Sequence, residues 1–369
     1  MTQLKTSRVI TAYPDYTRSD PSLVVVDLIT KREFVVADLR LFDLLSQIRS
    51  WTSEEDVLNT IKDVLNVSRG PATDVLSTLR ENALVIERGS FESSVEQKLR
   101  EWEEHGWGGI FDYLAYTKDY PFVDYSTAEA WDRDATRMAT YVEEDPVPPI
   151  YKHCESTETV ALPDVTDGKL SSVAAADVFT ATSPERFDTG GMFTRRDLSE
   201  ILYLTFGEIG RKEFQFQGEF LRKTSPSGGA RHPTEAYVAV FDVAEVPSGL
   251  YHYSVAEHEL HKLDNADIAR SDITTSAPSV ASNESEMMFA VLFTSVLERS
   301  QWRYRESRTF RAVLNDVGHL MQTLSLTAFA HGLQVRFDDG FHDEALESLL
   351  DVDGLVEPVI RLAGVGSVA

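Results

Sequence analysis

Arg222-Lys-Thr-Ser-Pro-Ser-Gly-Gly-Ala-Arg-His-Pro-Thr-Glu-Ala-Tyr237 decides how this chain is read. Pro226-Ser227-Gly228-Gly229 is a turn signal. Two glycines permit close backbone approach and leave N–H groups free to form a concavity for an anion or a cofactor edge. Ser225 and Ser227 add hydroxyls, and Arg222 and Arg231 add positive charge. The same residues also suit an ordinary strand-to-helix loop, and spacing alone does not choose between the two.

A second segment lies about 70 residues on. Trp302-Arg-Tyr-Arg-Glu-Ser-Arg-Thr-Phe-Arg311 carries four arginines in nine residues and leads into Gly318-His319-Leu-Met-Gln322. Thr309 to His331 has the period of a long helix, with Phe310, Val313, Leu314, Val317, Leu320, Met321 and Leu324 on one face. Arginines at a helix start hold phosphate through fork geometry and the helix dipole. A solvated basic patch facing an acidic surface is the competing reading.

Around these segments the pattern is mixed. Thr194 to Phe206 and Thr309 to His331 read as helices. Ala236 to Val243, Gly249 to Ser254, Met287 to Val296 and Pro358 to Leu362 read as strands. Residues 164–192, rich in Asp, Ser, Thr and Gly, read as a long surface loop. Gly364-Val-Gly366 has dinucleotide-fingerprint spacing but no helix can follow it, so that reading is rejected. His258 and His261 sit in a strand or turn pattern without a third ligand, and no metal site is expected.

Taken in order, these blocks resemble a known family. The Pro-Ser-Gly-Gly-Ala-Arg block, Gly249-Leu-Tyr-His-Tyr253, the Trp302–Arg311 run, Gly318-His319 with Gln322, Ala328-Phe-Ala-His-Gly-Leu333 and Ala363-Gly364 are similar to the SagB/ThcOx branch of the nitroreductase-like flavoproteins. The resemblance covers roughly residues 180–369. It implies an α+β, nitroreductase-like FMN domain over 161–369, acting as a homodimer with flavin sites at the interface. The implied FMN-binding residues are Arg222, Ser225, Pro226, Ser227, Gly228, Arg308, Arg311 and Gly364.

Two departures from the family pattern shape the expectation. The family opens its flavin domain with an Arg-Arg-Ser-x-Arg-like segment that holds phosphate. Here Ala181-Thr-Ser-Pro-Glu-Arg-Phe187 stands in its place, with Arg186 shifted, so the charge falls to Arg222, Arg308 and Arg311. Azoline oxidases of the family carry Lys-Tyr as the implied proton-handling pair, and here it is Arg303-Tyr304. A desolvated lysine can lose its proton and an arginine effectively cannot. Arg303 and Tyr304 remain the catalytic candidates, Arg303 to orient substrate or stabilise charge and Tyr304 through its hydroxyl.

The amino-terminal part reads as a separate module over 1–90. Leu23–Ile29 and Arg32–Ala37 read as strands joined at Thr30-Lys31. A helix carries Leu39, Phe42, Leu45 and Ile48, Ser53 with Asp56 resembles a capping box, Pro71 opens a third helix, and Leu84-Val85-Ile86 returns as a strand. This order resembles the PqqD-like winged-helix modules that bind leader peptides, which implies strand addition at a sheet edge. Residues 91–160 read as a helical connector. Residues 91–150 hold 14 acids, 5 bases and 11 aromatics, too aromatic for a disordered linker. Three prolines in Pro146-Val-Pro-Pro149 mark a boundary.

The chain has 369 residues, a length for two or three domains at ~100–200 residues each. With 42% hydrophobic and 26% charged residues it is not a disordered sequence. The net charge of −25 disfavours nucleic acid and anionic lipid as partners. A single cysteine, Cys154, excludes an intramolecular disulfide. There is no signal-like start and no long apolar run, so a cytoplasmic protein is expected. The expectation is therefore an FMN-dependent oxidoreductase that modifies a residue of a ribosomally made, leader-bearing precursor peptide, working with peptide-modifying partner enzymes. Dehydrogenation such as azoline to azole is the family default. Oxygen-dependent hydroxylation of a side chain and a flavin-free scaffold are the alternatives.

Overall fold

The computed structural model describes residues 2–16, 22–165, 173–187, 190–214, 218–264, 268–280 and 287–367. Contacts divide the chain into two compact units, Met1–Phe122 and Val123–Ala369.

The first unit has two small sheets and a group of helices. Gln3–Thr6 pairs antiparallel with Thr52–Ser53 and Val85–Glu87, and Leu23–Asp27 pairs antiparallel with Ile10–Pro14 and Glu33–Val36. The turn at Thr30-Lys31 forms as expected: Asp27 accepts from the Ile29 amide at 2.8 Å, and Lys31 takes a left-handed φ of 60°. The helices are Arg40–Gln47, Glu54–Leu65 and Arg69–Glu81. Ser53 caps the second, accepting from the Asp56 amide, and Pro71 sits in the first turn of the third. Leu44, Leu45, Ile48, Val57, Ile61, Leu76 and Leu79 fill the core. The first helix corrects the expected face: Leu44, Leu45 and Ile48 are buried, whereas Leu39 and Phe42 are exposed. The strands at 3–6 and 10–14 carry too little apolar alternation to have been read. Helices Phe91–Glu104 and Gly108–Thr117 belong to this unit, and buried Lys5 pairs with buried Glu96.

The second unit is built on a seven-stranded sheet. Its order is Gln334–Asp338, Val359–Gly366, Met287–Ser295, Thr234–Val240, Gly249–Ser254, Glu259–Lys262 and Thr159–Ala161, every neighbouring pair antiparallel. The central strands are nearly all apolar because both faces are covered. Ala236, Val238 and Val240 face helices Arg195–Phe206 and Phe310–Ala330 through Leu198, Ile201, Leu202, Val317, Leu320 and Leu324. Tyr237 and Ala239, on the opposite face by the two-residue period, pack with Leu346 and Leu350 of helix Asp343–Leu350. Each fully buried aliphatic side chain contributes about 1.5–3 kcal/mol, so these two layers fix the sheet.

The long helix also differs from expectation in its face. Val313, Val317, Leu320 and Leu324 are buried, but Phe310 and Leu314 are exposed. The segment 164–192 is not a loop throughout: Ala175–Thr180 is helical and Pro184–Phe187 forms a tight turn, while 166–172 and 188–189 lie outside the described residues. A hairpin, Glu208–Phe214 with Gly218–Lys223, precedes the glycine-rich loop. That loop therefore joins two strands, Gly218–Lys223 and Thr234–Val240, and not a strand to a helix. No helix among the described residues is long and apolar enough to cross a membrane.

Candidate active site

The Pro-Ser-Gly-Gly loop is fastened to the long helix by one buried carboxylate. Asp316 accepts from the Ser227 hydroxyl at 2.6 Å and from the Gly228 amide at 2.9 Å. The Ser227 oxygen in turn accepts from the His232 amide at 2.9 Å. Ser225 is buried and bonds Thr323 at 2.6 Å, and His319 lies 3.0 Å from the Pro226 carbonyl. The helix comes close enough that a Cβ on Gly228 would meet the Ala312 Cβ at 2.9 Å.

This corrects the reading of the loop as a nest of free amides. The amides of Gly228, Ala230, Arg231 and His232 are all engaged, by Asp316, the Ser227 carbonyl, the Gly228 carbonyl and the Ser227 hydroxyl. Of residues 228–232, Gly229 alone keeps an amide without a described bond. The anion in the concavity is the protein's own Asp316. Burial pushes its carboxyl upward, while the Ser227 and Gly228 bonds pull the other way. Sequence reasoning missed Asp316, although it left a signal: an acid on the apolar stripe of Val313, Val317 and Leu320.

The loop meets the second segment at Gly229. Its φ is 62°, and a Cβ there would lie 2.1 Å from the Tyr304 hydroxyl oxygen. Tyr304 is half-buried, and its hydroxyl makes no hydrogen bond among the described residues. Burial pushes its pKa up, against the opposing charges of Arg303 and Arg231. Arg303 donates to Asp134 at 2.8 Å, and its guanidinium lies 4.9 Å from the Tyr304 ring. Asp134 comes from helix Ala128–Glu144 and also accepts from Arg137 at 2.5 Å. Arg303 is therefore held as a cation beside the tyrosine.

The other candidate residues are distributed differently. Arg308 and Arg311 flank the start of helix Phe310–Ala330 and are partly buried. Arg222 is exposed on strand Gly218–Lys223. Gly364 lies elsewhere, on strand Val359–Gly366, where a Cβ would press on the Met287 sulfur at 3.1 Å. It lines a separate pocket with Val280, Gln334 and Arg336. Arg186 pairs with Asp177 at 3.3 Å, while Phe187 packs edge-on against Phe329 of the long helix.

Beneath the loop lies a buried charged group that the sequence reading did not select. Lys223 lines a small recess with Ser225, Ser227, His232, Thr234 and Asp316. Burial lowers Lys223 to about 8 and His232 to about 3. Glu235 bridges Arg299 at 2.5 Å and His252 at 2.9 Å. Burial opposes its ionisation, but Arg299 and His252 hold it at about 2. Burial likewise opposes charge on His252, yet Cys154 and Glu235 raise it to about 9. The signal was an acid inside the apolar run Thr234–Val240. Among the described residues no group of three or more His, Cys, Asp or Glu could hold a metal.

The donor set suits a phosphate-bearing flavin. Arg308, Arg311 and the start of a 21-residue helix carry positive charge. Gly229 offers side-chain-free backbone, and Tyr304 an unbonded hydroxyl. Residues 186–367, just under half of the chain, match the model of the Nitroreductase family. The nitroreductase-like fold of mixed helices and strands is thus preceded by a smaller, strand-containing amino-terminal region.

Among relatives, the trifolitoxin-processing protein TfxB of Rhizobium leguminosarum bv. trifolii is 37% identical over 142 residues, 38% of each chain. The chain thus matches well under half the length of that relative. A protein of Methanocaldococcus jannaschii, named among the nitroreductases, is 29% identical over 202 residues, 53% of this chain and 91% of its own. Among solved structures, a nitroreductase from Anabaena variabilis is similar with a TM-score of 0.46 and 23% identity, covering 62% of this chain and 46% of that one. The E. coli microcin synthetase McbBCD complex with truncated pro-MccB17 bound is similar with a TM-score of 0.41 and 17% identity, covering 74% and 94%.

Proposed function

We propose that this chain is an FMN-dependent oxidoreductase that modifies a residue of a ribosomally made precursor peptide. The observation that carries the reading is the meeting of Tyr304 with Gly229 inside a nitroreductase-like domain. It brings an unbonded hydroxyl, a fixed arginine and a bare stretch of backbone to one point. The similarity to a trifolitoxin-processing protein supports a peptide as substrate.

Arg308 and Arg311 would hold the phosphate, and the Pro226–Gly229 loop would support the ring. Bound FMN supplies a two-electron acceptor. Arg303, paired with Asp134, orients the peptide or stabilises negative charge. Tyr304 moves a proton at its hydroxyl oxygen. The amino-terminal module over 1–90, read as PqqD-like, recruits the leader and raises the local concentration of the reacting segment. A homodimer and peptide-modifying partner enzymes complete the proposal.

The visible spectrum of the purified protein tests the cofactor. A bound flavin, or uptake of added FMN, is expected. A colourless protein that takes up none overturns the enzyme reading in favour of a scaffold. Mass spectrometry of a candidate peptide then separates the chemistries: loss of two hydrogens marks dehydrogenation, and gain of one oxygen marks hydroxylation. Hydroxylation has one specific observation in its favour, the arginine at 303 held by Asp134 where proton abstraction would call for a base.

A further inference from the structure

Arg231 is a buried cation without a counter-charge. It is 7% exposed. Its Nε donates to the Arg299 carbonyl at 3.0 Å, and its Nη1 is buried with no partner. No carboxylate among the described residues pairs with it. Its guanidinium lies 4.8 Å from the Phe220 ring and 5.7 Å from the Trp302 ring, so two aromatic faces are its main neighbours. Burial pushes Arg231 below its ordinary range; the Tyr304 oxygen acts against this, and the charges of Arg303 and Arg299 add repulsion.

Its neighbour shows what compensation looks like. Arg299 is as buried, yet it donates to Glu235 at 2.5 Å and to the carbonyls of Pro149 and His232 at 3.0 Å each. Both arginines line one small surface recess, whose walls include Pro148, Pro149, Ile150 and Leu221. Glu219 also lines it, but that carboxylate is half-exposed and lies 3.2 Å from Arg211. A buried charge is ordinarily paired, because leaving it unpaired forfeits its hydration for nothing. A guanidinium with an unpartnered Nη1, set beside proline, isoleucine and aromatic side chains, is the arrangement that recognises a carboxylate on an apolar stem.

We propose that Arg231 and this pocket bind a carboxylate of the peptide substrate, either a carboxyl terminus or an acidic side chain. That the ligand is a peptide rests on the proposed function; the carboxylate site itself does not require bound flavin. Arg231 is then a specificity residue beside Tyr304, holding one end of the peptide while the other groups act on it.

Isothermal titration of the full chain tests this with three probes: N-acetyl-alanyl-leucine, its carboxamide, and N-acetyl-glutamyl-leucine amide. At least one acid probe is expected to bind about tenfold more tightly than the carboxamide. Preference for the free terminus identifies a carboxyl-terminal ligand, and preference for the glutamyl probe identifies a side chain. Arg231→Gln should abolish the preference and Arg231→Lys should keep part of it, each variant checked by thermal melting. Equal binding of acid and carboxamide by the unaltered protein, an undiminished preference in a folded Arg231→Gln, or binding of inorganic phosphate in place of both acid probes would overturn the proposal. A flavin-bearing protein that fails to discriminate overturns this inference alone. A colourless protein that discriminates overturns only the flavin reading.

Discussion

The Tyr304 hydroxyl occupies the space that a side chain at residue 229 would need, 2.1 Å from where its Cβ would lie. The two motifs legible in the sequence, 75 residues apart, are thus in direct steric contact. Gly229→Ala meets two penalties there. The left-handed φ of 62° costs an alanine about 1–2 kcal/mol, and the methyl must push Tyr304 aside. We expect a fall of several degrees in Tm with a larger proportional loss of activity, at least about tenfold. A variant that melts lower but turns over substrate normally would separate Tyr304 from the chemistry.

Asp316 holds the loop from beneath, and its removal distinguishes charge from hydrogen bonding. Asp316→Ala leaves the Ser227 hydroxyl and the Gly228 amide without their acceptor, at a cost of about 1–3 kcal/mol. Asp316→Asn keeps one acceptor and should cost less. Chemical denaturation of both variants checks the order. Equal stability of the alanine variant and the parent would show that the loop holds itself.

Much of the fold was legible because burial writes itself into periodicity. Gly249–Ser254 and Met287–Ser295 were read within a residue because both faces of the sheet are covered. Gln3–Thr6, Ile10–Pro14 and Gln334–Asp338 were not: short or edge strands carry little apolar alternation. In the candidate site, Tyr304 and the Pro-Ser-Gly-Gly loop announce themselves by residue type, and the structure brings them together. Asp316, Glu235 and Lys223 were missed because a single polar residue in an apolar stretch signals only once its partner, far away in sequence, is known. Phe310 and Leu314 were assigned to the core by period alone, yet they lie on an exposed flank of turns whose Val313 and Val317 are buried.

His252 gives a pH dependence whose sign can be worked out. Burial acts against its charge, but Cys154 and Glu235 raise its folded pKa to about 9, above the ordinary 6.5. Folding therefore favours the protonated ring. That contribution is complete below pH 6.5 and is lost as pH rises through 9. Lys223, lowered to about 8 by burial, titrates nearby with the opposite sign, so parent and variant must be compared at each pH. The stability advantage of the parent over His252→Gln should shrink between pH 6.5 and 9, by on the order of 1–3 kcal/mol. A difference constant with pH would mean that the ring is neutral when folded.

Phe310 and Leu314 remain 41% and 47% exposed on the long helix. An apolar strip beside the candidate flavin site is what the proposed homodimer would cover. Leu314→Arg should shift the protein from dimer to monomer in sedimentation velocity and weaken FMN retention in parallel. A dimer undisturbed by this change would move the interface to another face.

Tyr304→Phe separates function from stability most sharply. The hydroxyl makes no hydrogen bond among the described residues, while the ring packs with the Arg303 guanidinium at 4.9 Å and closes over Gly229. Removing the oxygen therefore forfeits no described bond, and the melting temperature should move by no more than about 2 °C. If the hydroxyl carries the proton, turnover should fall by about 10²–10⁴, with KM little changed because the ring still shapes the site. Asp134→Asn should behave differently. It weakens the pairing of Arg303 at 2.8 Å, so the arginine loses its fixed position, and KM should rise while the intact Tyr304 keeps some turnover. The two variants thus predict opposite splits between kcat and KM. A Tyr304→Phe protein with parental turnover would transfer the proton-handling role to another group.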